Sequence, residues 1–282
     1  MKFSVVIATY NREALLKNLL RSLQNQTCSD MEIIIIDQNR DDKVNQTINL
    51  FPEIAPATQI IKSDSNNLSL CRNRGIEASK GELIFFPDDD ATIPEAFFEK
   101  VVARFEKDGD TDFISLPLLE CESSSSKDER DIFITERNAN LLTTASSVIY
   151  RRKVIDNTGP FDVQLGLGGE FEAAEDLDYV LRVLYKEFHG YYHQGTFVVH
   201  NNPLTLYDVS AAERAYRYNR GYGACVKKHW KRYNNASLLR QSAIDSLKNI
   251  MGMIRYFLSD PGRSRYNLLS LRGKVDGFRR YR

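Results

Sequence analysis

Three carboxylates stand side by side at Asp88, Asp89 and Asp90. Adjacent like charges repel one another, so something positive is expected to offset them. A divalent cation with oxygen ligands is the natural candidate. In an extended segment Asp88 and Asp90 point to the same side, which makes them a D-x-D pair of ligands. Mg2+ or Mn2+ held this way keeps places for water and substrate phosphates. The competing reading is helix capping: Asp90 or Thr92 could cap a helix that starts after Pro94. Capping accounts for one acid and leaves two.

A second acidic run, Glu175-Asp176-Leu177-Asp178, follows a stretch rich in Gly and Glu. At a helix start, Glu175 or Asp176 could project into a cleft and act as a general base, which needs only reach and a suitable pKa. Acids at a helix N-terminus are equally explained by the dipole. Arg72, in Leu70-Cys71-Arg72-Asn73-Arg74-Gly75, has the planar fork that suits a phosphate. The same residue could also sit on a solvated helix face. His200 closes a strand and is a candidate third metal ligand, although a single strand-end histidine is more often structural. His189, His193 and His229 belong to no motif.

Acids do chemistry only where the chain holds them. Leu83 to Phe86 are apolar without alternation, opened by Gly81 and closed by Pro87. Such a run reads as a strand buried on both faces. Residues 3–8 and 33–36 are similar runs, the second closed by Asp37, and 58–61 is a weaker strand. Between them Leu15, Leu16, Leu19, Leu20 and Leu23 repeat at helical spacing, and 41–50 and 69–79 read as helices. Past Pro94, Phe97, Phe98, Val101, Val102 and Phe105 form another stripe. Residues 112–119, 145–150 and 196–200 read as strands, 151–157 and 175–188 as helices, and 120–131 as a polar surface loop. Strands alternating with helices predict βαβ units and a mostly parallel sheet. In such a sheet ligands bind at the C-terminal ends of strands, where the three acids fall.

The 282 residues suit one large α/β domain with an appendage. No apolar run nears the ~20 residues that span a bilayer, and the start does not read as a signal peptide, so a cytoplasmic protein is expected. Cys28, Cys71, Cys121 and Cys225 are scattered, which favours reduced thiols over disulfides or zinc. Net charge is zero but unevenly spread: residues 211–282 hold 17 Lys+Arg against 4 Asp+Glu, and residues 1–210 the remaining 21 and 34. A boundary is therefore expected near 210, between a domain at 1–210 and a basic, aromatic helical extension at 211–282. That extension either packs on the acidic body or meets an anionic membrane surface. No nucleic-acid-binding module is recognisable.

SVVIATYNR at 4–12, IIIIDQN at 33–39, LCRNRG at 70–75, GELIFFPDDD at 81–90 and the GxFDxxLGxG…EDxDYxxR run from Gly159 to Arg182 occur in one order. In order and spacing they resemble the family 2 glycosyltransferases of GT-A fold, over about residues 3–205. The resemblance implies inverting transfer of a sugar from a nucleotide-diphosphate donor with Mn2+ or Mg2+. It implies Thr9 and Tyr10 at the nucleotide base and Arg72 near the donor. Asp88 would lie near the ribose, Asp90 on the metal and His200 after the last core strand. Asp176 is the implied base, with Glu175 beside it. Arg12, Asp37, Gln38 and Asp89 complete the implied donor-binding set, the alternative for Asp89 being a spacer or cap. Gln38 departs from the acid that many members carry there, so the base is open. The Q-x-x-R-W motif of processive members is missing, which points to addition of a single sugar. Bacterial members of this kind act on surface-polysaccharide or lipid-linked acceptors, which would favour the membrane reading of the basic region and a place at the inner face of the cell membrane. Two rivals stay open. A sugar-nucleotide nucleotidyltransferase would carry a glycine-rich loop after the first strand, and a non-catalytic nucleotide-binding scaffold would not need the Glu175–Asp176 pair.

Overall fold

The computed structural model describes residues 2–27, 30–120, 130–200 and 207–282. Most of the expected 120–131 loop, with Cys28 and Cys121, lies outside them. In chain order the elements are β1 (Phe3–Thr9), α1 (Glu13–Gln24), β2 (Met31–Asp37), α2 (Lys43–Ile48), β3 (Thr58–Lys62), α3 (Leu68–Ala78) and β4 (Leu83–Phe85). Then come β5 (Ala91–Thr92), α4 (Phe97–Lys107), β6 (Phe113–Ser115), β7 (Leu118–Leu119), β8 (Ile132–Phe133), α5 (Ala139–Leu142), β9 (Val148–Arg151) and α6 (Arg152–Thr158). The chain closes with α7 (Glu175–Leu184), β10 (Gly190–Tyr192), β11 (Val198–His200), α8 (Val209–Tyr233), α9 (Ala236–Tyr256) and α10 (Pro261–Arg280).

By contact density the chain divides into two compact units. The first comprises Met1–Asn66, Leu70–Pro160 and Val180–Asn202. Its main sheet has eight strands in the order β3-β2-β1-β4-β9-β6-β10-β8. Strands β1 to β4 are mutually parallel, β9 runs antiparallel between β4 and β6, and β10 returns parallel to β6. A second sheet, β5-β11-β7, has three short strands. This is the mixed, mostly parallel α/β arrangement that the alternating pattern predicts.

The core explains why those runs became strands. Val5, Ile7, Ile33, Ile35, Leu83 and Phe85 are fully buried, with Leu16, Leu19, Leu20 and Leu23 of α1 and Phe97, Phe98, Val101 and Phe105 of α4 in the same cluster. Phe3 meets Phe98 with ring centres 4.4 Å apart, and Phe85 meets Phe97 at 5.4 Å. Leu15, expected in the α1 stripe, is exposed instead. The expected strand 112–119 splits in two. Pro117 has no amide to donate to a ladder, and its carbonyl accepts from Val198.

The second unit comprises Asn67–Ser69, Phe161–Tyr179 and Pro203–Arg282. It does not follow a boundary at residue 210, because the segment before α7 groups with the last three helices. Local chemistry sets those helices. Asp208, Asn235 and Asp260 each accept from the backbone amide three residues on, capping α8, α9 and α10. Pro261 opens α10 at a position where its missing amide costs nothing. A seam of glycines joins α8 to α10: a side chain at Gly223 would run into the Lys274 carbonyl, and one at Gly277 into the Arg220 carbonyl. No helix among the described residues is long and apolar enough to cross a membrane.

Candidate active site

In the first unit β1, β2 and β4 are parallel, so Thr9, Asp37 and the segment after Phe85 emerge at one edge of the sheet. The chain does not stay extended through the three acids. It turns, with the Ala91 amide donating to the Asp88 carbonyl at 3.0 Å. This corrects the expectation that alternation alone makes Asp88 and Asp90 converge. The turn leads into β5, where β11 places His200 opposite Ala91. Asp88, Asp90 and His200 thus each offer one ligand atom, all within 4.8 Å of one another. Capping is also excluded: the N-cap of α4 is Ala96, with no side-chain cap.

Each acid has its own environment. Asp89 is buried; its Oδ2 accepts from Thr9 Oγ1 at 2.8 Å and its Oδ1 from Arg12 Nη1 at 3.1 Å. Burial pushes its carboxyl up, outweighing the pull of Thr9 and Arg12. Arg12 Nη1 also reaches Asp90 Oδ2 at 3.0 Å. The other oxygen, Asp90 Oδ1, is buried 3.0 Å from His200 Nε2 yet takes part in no aligned hydrogen bond. Burial pushes Asp90 up, but His200 and Arg12 more than offset it and hold the carboxyl below its ordinary value. Asp90 in turn raises the His200 imidazole above its ordinary value, against burial. Asp88 meets the buried Arg72 at 3.4 Å.

A buried carboxylate oxygen without an aligned donor, beside a second carboxylate and an imidazole, fits a divalent cation. Carboxylate oxygens suit Mg2+ and Mn2+ alike.

Around this cluster the remaining expected residues divide. Tyr10 is exposed and Thr9 is buried onto Asp89. Asp37 is fully buried: its Oδ1 accepts from the Asn39 amide and side chain at 2.9 and 2.8 Å, and its Oδ2 pairs with Lys62 at 2.6 Å. Asn39 Oδ1 then takes the amide of Asn11, a residue in the left-handed region at φ 54. Asp37 therefore shapes the β1 and β2 loops from beneath. Gln38 sits half-buried on those loops with its side-chain amide donated to the Ser65 carbonyl. Asn39 and Lys62 escaped the sequence reading. The only signal for either was Asn39 within IIIIDQN.

In the second unit α7 opens with Glu175, Asp176 and Asp178 in its first turn. The loop before it is strained, with Glu172 at φ 59 and Ala174 at φ 68. Gly166, at φ 80, has no room for a side chain because Ser69 Oγ and the Glu175 side chain fill the space. Glu175 is buried there, while Asp176 is half-buried and accepts from the Leu177 amide at 2.7 Å. Asp178 points the other way. It is fully buried, 2.5 Å from Lys228 and 3.0 Å from His229, and Lys228 also pairs with Asp162 at 2.7 Å. Neither Lys228 nor His229 has a sequence motif to announce it. A cleft of about 740 Å³ in the same unit is lined by Lys227, Lys231, Arg279, Arg280 and Arg282, with Glu170. None of these five cations makes an ion pair among the described residues.

The chain was then compared with known proteins. Residues 4–163 match the model of Glycosyl transferase family 2. Over 231 residues the chain is 24% identical to the GalNAc(5)-diNAcBac-PP-undecaprenol beta-1,3-glucosyltransferase of Campylobacter jejuni, a match covering 78% of this chain and 72% of that one. Several curated relatives are matched over only 29% to 61% of their own length. Among solved structures, the mannosyltransferase PcManGT of Pyrobaculum calidifontis, in complex with GDP-Man and Mn2+, is similar with TM-score 0.66 and 14% identity over 98% of this chain and 86% of that one. Staphylococcus aureus TarS 1–349 in complex with UDP-GlcNAc gives TM-score 0.61 and 16% identity over 98% and 91%. At such identity these two speak to the GT-A fold alone. With more than half of its residues under the family model, the chain belongs to the family 2 glycosyltransferases.

Proposed function

We propose that the protein is an inverting transferase that moves one sugar from a nucleotide-diphosphate donor to an acceptor hydroxyl, in cell-surface polysaccharide or glycolipid synthesis. The observation that carries this reading is the Asp88–Asp90–His200 cluster at the C-terminal edge of the parallel strands. Its proposed metal is Mn2+ or Mg2+, held by those three residues. When bound, the ion supplies positive charge where the departing diphosphate gathers negative charge. Arg12 fixes Asp90 and Asp89, and Arg72 fixes Asp88, so the ligands are set before the donor arrives. The loops carrying Thr9, Tyr10, Asp37 and Gln38 are the proposed nucleotide-base platform. Gln38 can both donate and accept, so it suits uracil and guanine alike. The solved neighbours carry one of each.

Asp176 is the proposed base, with Glu175 beside it. It takes the acceptor proton as that oxygen bonds to the anomeric carbon and the bond from carbon to diphosphate oxygen breaks. The transition state is oxocarbenium-like, and a single displacement inverts the centre. The half-buried Asp176 at the start of α7 supports this role, together with the family resemblance. A phosphate-bearing acceptor suits the cleft of unpaired cations in the second unit. The undecaprenol diphosphate in the Campylobacter relative's name is of that chemistry. The proposed location is the cytoplasm, at the inner face of the membrane.

A panel of nucleotide sugars with Mn2+, scored by release of free nucleoside diphosphate, tests the reading. Turnover with one donor, lost in Asp90→Ala, is expected. A nucleotidyltransferase would instead release pyrophosphate from nucleoside triphosphate and sugar phosphate. A scaffold would bind a donor in calorimetry without turnover.

A further inference from the structure

Helix α9 is built inside out. Ile244, Leu247, Met251 and Ile254, with Leu258 just past its end, recur at spacings of three and four, so they form one stripe. They are 49% to 90% exposed, as is the neighbouring Phe257. The opposite face, mostly small and polar apart from Leu238, Met253 and Tyr256, is the one that packs. Asn249 bonds to Asn267 at 3.1 Å and accepts from Lys274 at 2.9 Å, and Ser264 Oγ bonds to the Met253 carbonyl at 2.9 Å. Leu238 is the single buried residue of the helix. An ordinary surface helix turns its apolar stripe inward. Here the stripe is left to something outside the unit.

Charge says what that is. Arg240 lies one turn before Ile244, and Lys248 and Arg255 line one edge of the stripe, all exposed. Asp245 is the only acid on the helix, and it pairs with Lys248 at 3.3 Å. The surrounding 211–282 carries 17 Lys+Arg against 4 Asp+Glu. An apolar face rimmed by cations is the pattern of a helix that lies in the plane of a membrane surface. A second copy of this chain would bring the same cationic rim against itself, where like charges oppose pairing.

We propose that α9 docks on the surface of an anionic phospholipid bilayer, with Leu247, Met251, Ile254 and Leu258 entering the headgroup boundary and Lys248 and Arg255 meeting lipid phosphates. The inference does not depend on the transferase reading, because its readout is lipid binding.

The full chain is to be sedimented with vesicles of phosphatidylcholine alone and of phosphatidylcholine mixed with phosphatidylglycerol. Binding to the mixed vesicles is expected, weaker by about tenfold or more on neutral ones and falling with salt. Leu247→Glu with Ile254→Glu should lose that binding by a similar factor while melting like the parent. Lys248→Glu with Arg255→Glu should lose the preference for the anionic lipid. Met251→Trp reports insertion without disrupting the stripe: brominated acyl chains should quench it beyond the level that Trp230 alone gives in the parent chain. Absence of that extra quenching overturns the proposal. So does a concentration-dependent dimer that dissociates in Leu247→Glu with Ile254→Glu while the parent ignores both vesicles.

Discussion

The two acidic runs, Asp88–Asp90 and Glu175–Asp178, look alike in sequence and are arranged alike. Each spends one carboxylate on the scaffold and presents another. In the first, the middle acid turns inward to Thr9 and Arg12, and its neighbours cluster with His200. In the second, Asp178 is buried on Lys228 and His229, and Asp176 stays half-open two residues earlier. They differ in what holds the inward acid. Asp89 leans on a hydroxyl and an arginine that is half exposed. Asp178 is locked with a lysine and a histidine that are themselves buried. Charge density along a chain therefore does not tell an acid turned inward from one left open; the partner does.

Four substitutions break or sharpen this contrast. The largest effect belongs to the outward acids. Asp90→Ala and Asp176→Asn should each lower transfer by about 10³-fold, the range expected when a charge-stabilising group or a general base is removed. Circular dichroism should be unchanged, with melting lowered slightly in Asp90→Ala, which loses its ion pairs to Arg12 and His200. Second, Asp178→Asn leaves Lys228 and His229 buried without their shared anion. A loss of about 3 kcal/mol is expected in denaturant unfolding, softened by the Asp162 contact to Lys228. Activity below the transition should survive. Third, Asp89→Asn keeps the shape and one acceptor oxygen, so a cost of about 1 kcal/mol is expected, with transfer reduced far less than in Asp90→Ala.

The smallest effect is a pH dependence. Glu32 holds the turn before β4, accepting from Ser4 Oγ at 2.6 Å and the Gly81 amide at 3.0 Å. Burial pushes its carboxyl up, but Ser4, Lys80 and Gly81 more than offset that and hold it below its ordinary value. A depressed carboxyl contributes stability above its unfolded pKa of about 4.3, lost as pH falls through the folded value. Acid titration of unfolding should therefore show a smaller fall across that window in Glu32→Gln than in the parent.

Much of the first unit was legible because buried strands are nearly pure apolar runs: 33–36 and 83–86 could hardly be anything else. The helix stripes at Leu16–Leu23 and Phe97–Phe105 were equally plain. Local periodicity ran out where elements are only two residues long. β5 carries too little pattern to be seen, yet its pairing with the strand that His200 closes brings His200 to Asp90. It also ran out where a polar residue's partner lies far along the chain. Nothing near Asp37 announces Lys62, and nothing near Asp178 announces Lys228. Helical spacing in α9 gives two faces but not which one packs. The usual rule would have chosen the wrong face.

The glycine seam between α8 and α10 bears on motion. Where Gly223 and Gly277 let two backbones touch, the amides at the crossing should exchange hydrogen only when the whole unit opens. α9 rests beside them with a single buried leucine, so it should open and reclose on a faster clock than the pair that carries it.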